Sequence, residues 1–201
     1  MEKNYVFKPW IPEGFGNSDL GRLFIVGDSH YIKHDEKDLP NFTRDIISEL
    51  GEYSPAKFLR KLGETFNPEN YKDIYSKASF ANAIQVGMKE ADDIPSQDDY
   101  KTVEPAIRLY LDEIKPTRMV IFSKRIWDYG LPSNISWGQY IETLVEEKSK
   151  LSATVWKFTY EDGICFGIGV HHPSYIKYNT QGTKDLLDLF FEKDYEILDI
   201  Q

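Results

Sequence analysis

The sequence predicts an α/β sandwich with a mainly parallel sheet. Two short apolar runs, at residues 22–27 and 119–122, end in small or polar residues, which is typical of strands covered on both faces. A segment with apolar residues at helical spacing, 103–114, lies between them. Because strands that alternate with helices favour a sheet with helices on both faces, we expect that architecture. No repeat or linker divides the sequence, so we predict one domain over residues 1–201.

The elements follow in order from their local patterns. Residues 1–20 are broken by Pro and Gly, which predicts an irregular arm. The expected strands, of which the last two form a hairpin with a turn at 160–163, lie at residues 22–27, 78–84, 119–122, 154–159 and 164–170. The expected helices lie at residues 41–50, 55–63, 103–114, 136–150 and 182–193. Pro116 ends the third of these helices, and Ser136 favours the start of the fourth.

Composition and charge limit the classes of function. The chain has 24 Lys and Arg against 33 Asp and Glu, a formal net charge of −9, which argues against binding of nucleic acid by bulk charge. Any contact with nucleic acid must therefore be local. The single cysteine, Cys165, excludes a four-cysteine zinc site and a cysteine-ligated iron–sulfur cluster. The sequence has neither an apolar stretch of the ~20 residues that a membrane span needs nor a secretory signal, so we expect a cytoplasmic protein without a membrane partner.

All four histidines lie in two segments that follow predicted strands. His30 and His34 come after the first strand, and His171 and His172 come after the last. Ligands of α/β sheets bind beyond the carboxyl ends of the strands, and histidine is the side chain that most readily exchanges protons near neutral pH. We therefore predict that the functional site combines these two segments with the vicinity of Asn82, at the end of the second strand.

A metal centre is one interpretation of the histidines. His30 and His34 have i, i+4 spacing, and Asp28 and Asp35 could add carboxylates. His171 or His172 would complete the ligand set. On this interpretation the protein is a metal-dependent hydrolase.

A nucleophilic serine is a second interpretation. Gly27, Asp28 and Ser29 resemble the first block of the GDSL/SGNH esterases, in which the serine attacks an ester and a histidine acts as base. The late block of that family has Asp and His three residues apart, and neither His171 nor His172 has an Asp three residues earlier. On this interpretation the protein is a serine-dependent hydrolase.

Three segments occur in an order that resembles the uracil-DNA glycosylase superfamily. An early strand ends in a Gly-containing motif at residues 23–31, a middle strand at 79–83 carries a polar residue, and a late strand at 170–174 ends in His-Pro-Ser. Residues 114–127 also resemble the helix, proline, strand and short helix of that superfamily. The resemblance implies a three-layer α/β/α sandwich with a central, mainly parallel four-stranded sheet.

The resemblance also implies a reaction. Members of the superfamily hydrolyse the N-glycosidic bond of a damaged or deaminated base that has been flipped out of the nucleic-acid stack. We therefore expect a DNA glycosylase-like hydrolase of DNA repair that needs neither a cofactor nor a metal and takes DNA in preference to RNA. A free nucleoside or base is an alternative substrate. A non-catalytic nucleic-acid or nucleotide-binding protein is an alternative on the same fold.

The same resemblance assigns roles to residues. His172 would stabilise the leaving base, and Asp28 would orient the attacking water. Asn82 would read the hydrogen-bonding edge of the base, and Tyr31 would stack on its face. The other residues expected at the site are a loop that presses into the nucleic acid and three further polar side chains: Pro173, Ser174 and Tyr175 in the loop, and Ser29, His30 and His171 beside it.

Overall fold

The computed structural model has one mixed sheet flanked by helices, and it describes residues 6–32, 39–50, 57–90, 93–131 and 135–195. Within these ranges the strands are β1 (Leu23–Gly27), β2 (Ser79–Asn82), β3 (Arg118–Ile121), β4 (Gly138–Val145), β5 (Ser152–Tyr160) and β6 (Gly163–Gly169). The helices are α1 (Phe42–Ser48), α2 (Lys57–Phe66), α3 (Asp73–Lys77), α4 (Gln97–Tyr100), α5 (Val103–Ile114) and α6 (Thr180–Glu192). A 3-10 turn at Leu39–Asn41 and a π-helical turn at Ile126–Gly130 complete them.

The sheet has six strands in the order β2-β1-β3-β6-β5-β4. The first four are parallel to one another, whereas β5 pairs antiparallel with both β6 and β4. The α/β architecture predicted from the sequence is therefore confirmed. The expectation of a four-stranded, mainly parallel sheet is wrong, because the β4–β5 hairpin extends the four parallel strands into a larger mixed sheet.

Strand β4 replaces the helix that the sequence predicts at residues 136–150. The sequence predicts a helix there, but residues 138–145 form β4, which pairs with β5 from Gly138 to Val145 with one register shift between Tyr140 and Glu142. Hydrogen bonds from the Ser149 hydroxyl and from the amide N–H groups of Lys148 and Ser149 stabilise the turn that follows and lower the pKa of Glu146 to about 2. Pairing with β5 thus overrides the local helical signal.

Most other elements agree with the sequence. The predicted helix at 103–114 is α5, and it ends at Lys115, which has the left-handed φ of 51° that separates the helix from Pro116. The predicted hairpin is confirmed as β5 and β6. The last helix begins two residues earlier than expected because the Asn179 side chain accepts a hydrogen bond from the Gly182 amide and caps it.

The sheet separates two apolar clusters. All five residues of β1 are buried, and they alternate: Leu23 and Ile25 pack with α2 and α6, whereas Phe24 and Val26 pack with α5. A continuous apolar run is therefore needed to cover both faces, and burial of each large aliphatic or aromatic side chain stabilises the fold by about 1.5–3 kcal/mol. No helix in the described part of the chain is long and apolar enough to cross a membrane.

Gly169, at the end of β6, offers a direct test of this packing. A Cβ atom there would lie 2.3 Å from Cγ of Trp127 and 2.5 Å from its Cβ, and that tryptophan is buried in the core. We expect Gly169→Ala to lower the free energy of unfolding by about 1–3 kcal/mol, measured by urea denaturation, because overpacking forces the ring to move.

Gly138→Ala is the matched control for that substitution. Its new Cβ would lie 2.9 Å from Cγ1 and 3.0 Å from Cδ1 of Ile135, a flexible side chain that can rotate away, and at an ordinary contact distance of 3.5 Å from Cε1 of Phe158. Its loss of stability should therefore be the smaller of the two. Equal unfolding free energies for Gly169→Ala and the wild type would contradict the packing described here.

Candidate functional site

The four parallel strands end at the same edge of the sheet, and each places a polar side chain there. Asp28 follows β1, Asn82 ends β2, Arg125 follows β3 and His172 follows β6. Three of them, Asp28, Asn82 and His172, line one cavity of about 440 Å³. The predicted strand-end segments therefore meet, and the cavity has the size of small-molecule sites.

Asp28 is a buried carboxylate, and only one of its two oxygens accepts hydrogen bonds from the described residues. It is 4% exposed, and its Oδ2 accepts hydrogen bonds from the Ser123 hydroxyl at 2.7 Å and from Arg125 Nε at 2.6 Å. Its Oδ1 is buried and accepts no hydrogen bond from the described residues. Since a buried charge needs a partner, Arg125 stabilises the carboxylate while leaving one oxygen atom for a ligand or water.

Asn82, on the same cavity as Asp28, is also a buried polar residue with one unpaired oxygen among the described residues. It is 5% exposed, and its Oδ1 is also buried without a hydrogen-bond partner among the described residues. A Cβ at Gly27 would lie 2.0 Å from that oxygen, so the neighbouring strand must carry glycine for the amide to fit. The Ser29 Oγ on the same cavity is also buried with no hydrogen-bond partner among the described residues. Unpaired buried polar groups are costly and rare, and three of them on one cavity indicate a site that a polar ligand completes.

Gln85 holds the end of β2 in place. Its Oε1 accepts hydrogen bonds from the amides of Val6 and Phe7, and its Nε2 donates to the Asn82 carbonyl oxygen at 3.1 Å and to the Tyr110 hydroxyl at 3.0 Å. The predicted N-terminal arm is thereby tied to the site. No sequence motif marks Gln85, so the sequence did not reveal this role.

His172 is a neutral imidazole with a defined tautomer. Its Nδ1 accepts a hydrogen bond from the Ser174 amide at 3.1 Å. Burial, aided by the charge of Arg125 and opposed by that of Asp28, lowers the pKa of His172 to about 4. At neutral pH the ring therefore carries its proton on Nε2, which makes that nitrogen a hydrogen-bond donor.

Helix α2 supports the segment that carries His172. The Phe58 ring stacks on the imidazole, with ring centroids 4.6 Å apart and an angle of 8° between the planes. Lys61 Nζ donates to the Pro173 carbonyl oxygen at 3.2 Å, and the Thr65 and Tyr178 hydroxyls are hydrogen bonded at 2.7 Å. The sequence predicts this helix but gives no sign of these contacts, which depend on how the helix packs.

The remaining aromatic and loop residues lie at the mouth of the cavity. Tyr31 lines it and is partly exposed, and burial, with a contribution from the Asp28 charge, raises the pKa of its hydroxyl. In the predicted loop Pro173 is buried, whereas Ser174 and Tyr175 are exposed. The Tyr175 amide donates to the His172 carbonyl oxygen at 2.8 Å, which fixes the loop next to the imidazole.

His30 contributes to the wall of the cavity and to its support. Its Nε2 is hydrogen bonded to the Thr43 hydroxyl at 2.8 Å, and its ring meets the rings of Phe7 and Phe42 edge to face. Burial lowers its pKa to about 3. A neutral ring that is already hydrogen bonded inside an aromatic cluster holds the first strand-end segment against α1.

His171 lies on a second cavity that adjoins the first. This cavity, of about 340 Å³, shares Asp28, Tyr31, His172 and Ser174 with the first cavity and adds Asp93, Ser123, Lys124, Arg125, His171 and Tyr175. The His171 pKa is lowered by partial burial and by the charge of Lys124. Because the two adjoining cavities share four residues, we call them together the bipartite site. A larger cavity of about 720 Å³, beside α4 and the π-helical turn, contains none of the predicted site residues.

The positions of the histidines and of Ser29 concern the metal-dependent and the serine-dependent hydrolase that the sequence also suggests. In the ranges that the structure describes, no three His, Cys, Asp or Glu side chains are grouped to hold a metal ion, and His34 and Asp35 lie outside those ranges. Ser29 lines the first cavity, but the hydrogen bonds of His30 Nε2 and His172 Nδ1 go to Thr43 and Ser174. Neither of those nitrogens is thus placed as a base for Ser29.

The geometry of the site is the basis from which the function of this chain is inferred. No protein-family model matches the chain, and no curated protein matches it. The fold and the site define an α/β protein with a cavity at the carboxyl edge of four parallel strands. A carboxylate oxygen and an amide oxygen that have no hydrogen-bond partner in the described part of the chain line that cavity, together with a neutral imidazole.

Proposed function

We propose that the protein hydrolyses an N-glycosidic bond and removes a damaged or deaminated base from nucleic acid. The observation that carries the proposal is the presence of Asp28 and His172 on one cavity. Asp28 has a buried oxygen that no described residue pairs with, and His172 has a proton on Nε2. The order of the three motifs, which resembles that of the uracil-DNA glycosylase superfamily, supports the same reaction.

The chemistry requires a donor and a water-activating group. When the bond between the base and C1′ of the sugar breaks, both bonding electrons leave with the base, and the His172 Nε2–H can stabilise the negative charge that develops on a carbonyl oxygen of the base. Water adds to C1′, and the free oxygen of Asp28 can orient that water and accept its proton. A later proton transfer from solvent neutralises the released base.

The cavity also has groups that can recognise a base. The Asn82 side chain offers an amide to pair with the hydrogen-bonding edge of a heterocycle, and Phe58, Leu59 and Phe80 supply apolar walls that exclude water. Because the cavity lies below the mouth formed by Tyr31 and the His172 loop, a base must leave its stack to enter.

Base release is the experiment that tests the proposal. Single- and double-stranded oligonucleotides carrying uracil, hypoxanthine or a mismatch would be incubated at low salt with the wild type and with His172→Ala. We expect the variant to release base about 10²–10³-fold more slowly, because it lacks the donor to the leaving group. Its urea unfolding curve shows whether the fold is intact.

Other outcomes of this experiment select the alternatives. Binding of oligonucleotides without base release from any of them would overturn the proposal and favour a non-catalytic binding protein. Activity that a chelator abolishes would favour the metal-dependent hydrolase, and labelling of Ser29 by an organophosphonate would favour the serine-dependent one.

A further inference from the structure

A stacked pair of rings lies on the rim of the bipartite site. The His171 and Tyr175 rings are 4.9 Å apart between centroids and inclined by 15°. Hydrogen bonds join the Tyr175 amide to the His172 carbonyl oxygen and the Tyr178 amide to the Tyr175 carbonyl oxygen, at 2.8 Å and 2.9 Å. The segment that carries the pair is therefore held by its backbone, and the Tyr175 side chain is still 45% exposed.

Two more large side chains are exposed around the same mouth. Ile176, the residue that follows Tyr175, is 92% exposed, and Tyr31, which lines both cavities, is 40% exposed. We call Tyr31, His171, Tyr175 and Ile176 the aromatic rim. Exposed aromatic and aliphatic side chains that are grouped around the mouth of a cavity indicate a surface for binding a partner.

The charges near the rim suit a partner with few phosphate contacts. Three cationic residues, Lys57, Lys124 and Arg125, and two anionic ones, Asp28 and Asp93, line the two cavities, a net charge of 3 − 2 = +1 in a chain of −9. Arg125 is bonded to Asp28, and Lys124 lies 3.6 Å from Asp128. The local surface therefore accepts phosphates but cannot supply most of the affinity through them.

We propose that the aromatic rim binds the nucleotides that flank the base in the cavity, and that the partner is a single strand of nucleic acid. Stacking of a base on an aromatic side chain strengthens binding about 5- to 150-fold per base, and it needs a base face that a duplex keeps covered. The inference rests on the proposed function only in taking nucleic acid as the ligand.

The test is equilibrium binding of a labelled DNA strand and of the same strand in a duplex. We expect the single strand to bind at least about ten times more tightly, with the weak salt dependence of only a few phosphate contacts. Tyr175→Leu should weaken binding of the strand about 5- to 150-fold, and Tyr175→Phe, which keeps the ring, should bind like the wild type. Tyr140→Leu, at an exposed tyrosine on β4, is the matched control and should change nothing.

The outcomes separate this inference from the proposed function. The inference would be overturned if the duplex bound as tightly as the single strand and if Ile176→Ala weakened binding of the duplex. That result would show that an aliphatic side chain is inserted between paired bases. Full binding by Tyr175→Leu would also overturn it. Base release from free nucleosides without strand binding would reject the aromatic rim and keep the hydrolase, whereas strand binding without base release would do the reverse.

Discussion

Asp28→Asn should slow base release by about 10²–10⁴-fold, the contribution that a positioned general base makes. The asparagine keeps the size of the side chain and a hydrogen bond to Arg125, but it removes the charge that orients and deprotonates water. The measurement is the single-turnover rate with the best substrate found for the wild type. Binding of the substrate should persist, because the apolar walls and Asn82 are unchanged.

Asp162→Asn is the control for Asp28→Asn. Asp162 pairs with Lys115 at the surface, in the turn at the opposite end of β6 from His172, so its loss should leave the rate unchanged. If Asp28→Asn released base at the wild-type rate, Asp28 would be a structural partner of Arg125 and not the group that acts on water.

Acid should destabilise the fold through His30. The native pKa of His30 is about 3, and the ordinary value, which applies to the unfolded chain, is 6.5. Below pH 6.5 the unfolded state therefore binds a proton that the native state does not. The contribution of His30 to the free energy of unfolding is fully present above pH 6.5. It is lost as the pH drops from 6.5 towards 3, by about 1.4 kcal/mol per pH unit. His172, with a native pKa of about 4, adds a similar dependence.

Urea unfolding at several pH values between 6 and 4.5 measures this effect. His30→Gln keeps a hydrogen-bonding side chain but cannot titrate, so the slope of unfolding free energy against pH should fall by the equivalent of one proton. His171→Gln should change the slope less, because that ring is exposed. A slope in His30→Gln equal to that of the wild type would show that His30 is protonated in the native state.

Patterns that report burial predicted the parallel half of the sheet. The run from Leu23 to Gly27 is apolar at every position before the glycine, and all five residues are buried. β4 was missed because only Leu144 of its eight residues is buried, and its identity as a strand depends on pairing with β5. A single edge strand carries little of the signal that a fully covered strand does.

The candidate site was also predictable only in part from the sequence. Asp28, Asn82 and His172 could be placed together from the sequence because parallel strands end at one edge, whatever the details of packing. The contacts that define their chemistry could not be read in this way. The Arg125 partner of Asp28 lies 97 residues away, and the Phe58 ring that stacks on His172 depends on how α2 packs on the sheet.

The pairing of the parallel strands has a consequence for folding. β1 pairs with residues 79–82 on one side and with 118–121 on the other, so large loops must close before either pair forms. The hairpin of β5 and β6, in contrast, closes over a two-residue turn and can form early. Because Asp28 and His172 meet only through those distant pairings, a fragment that lacks either strand end does not have the complete cavity. During synthesis the cavity forms only after β6 and the segment with His172 and Ser174 that follows it have been made.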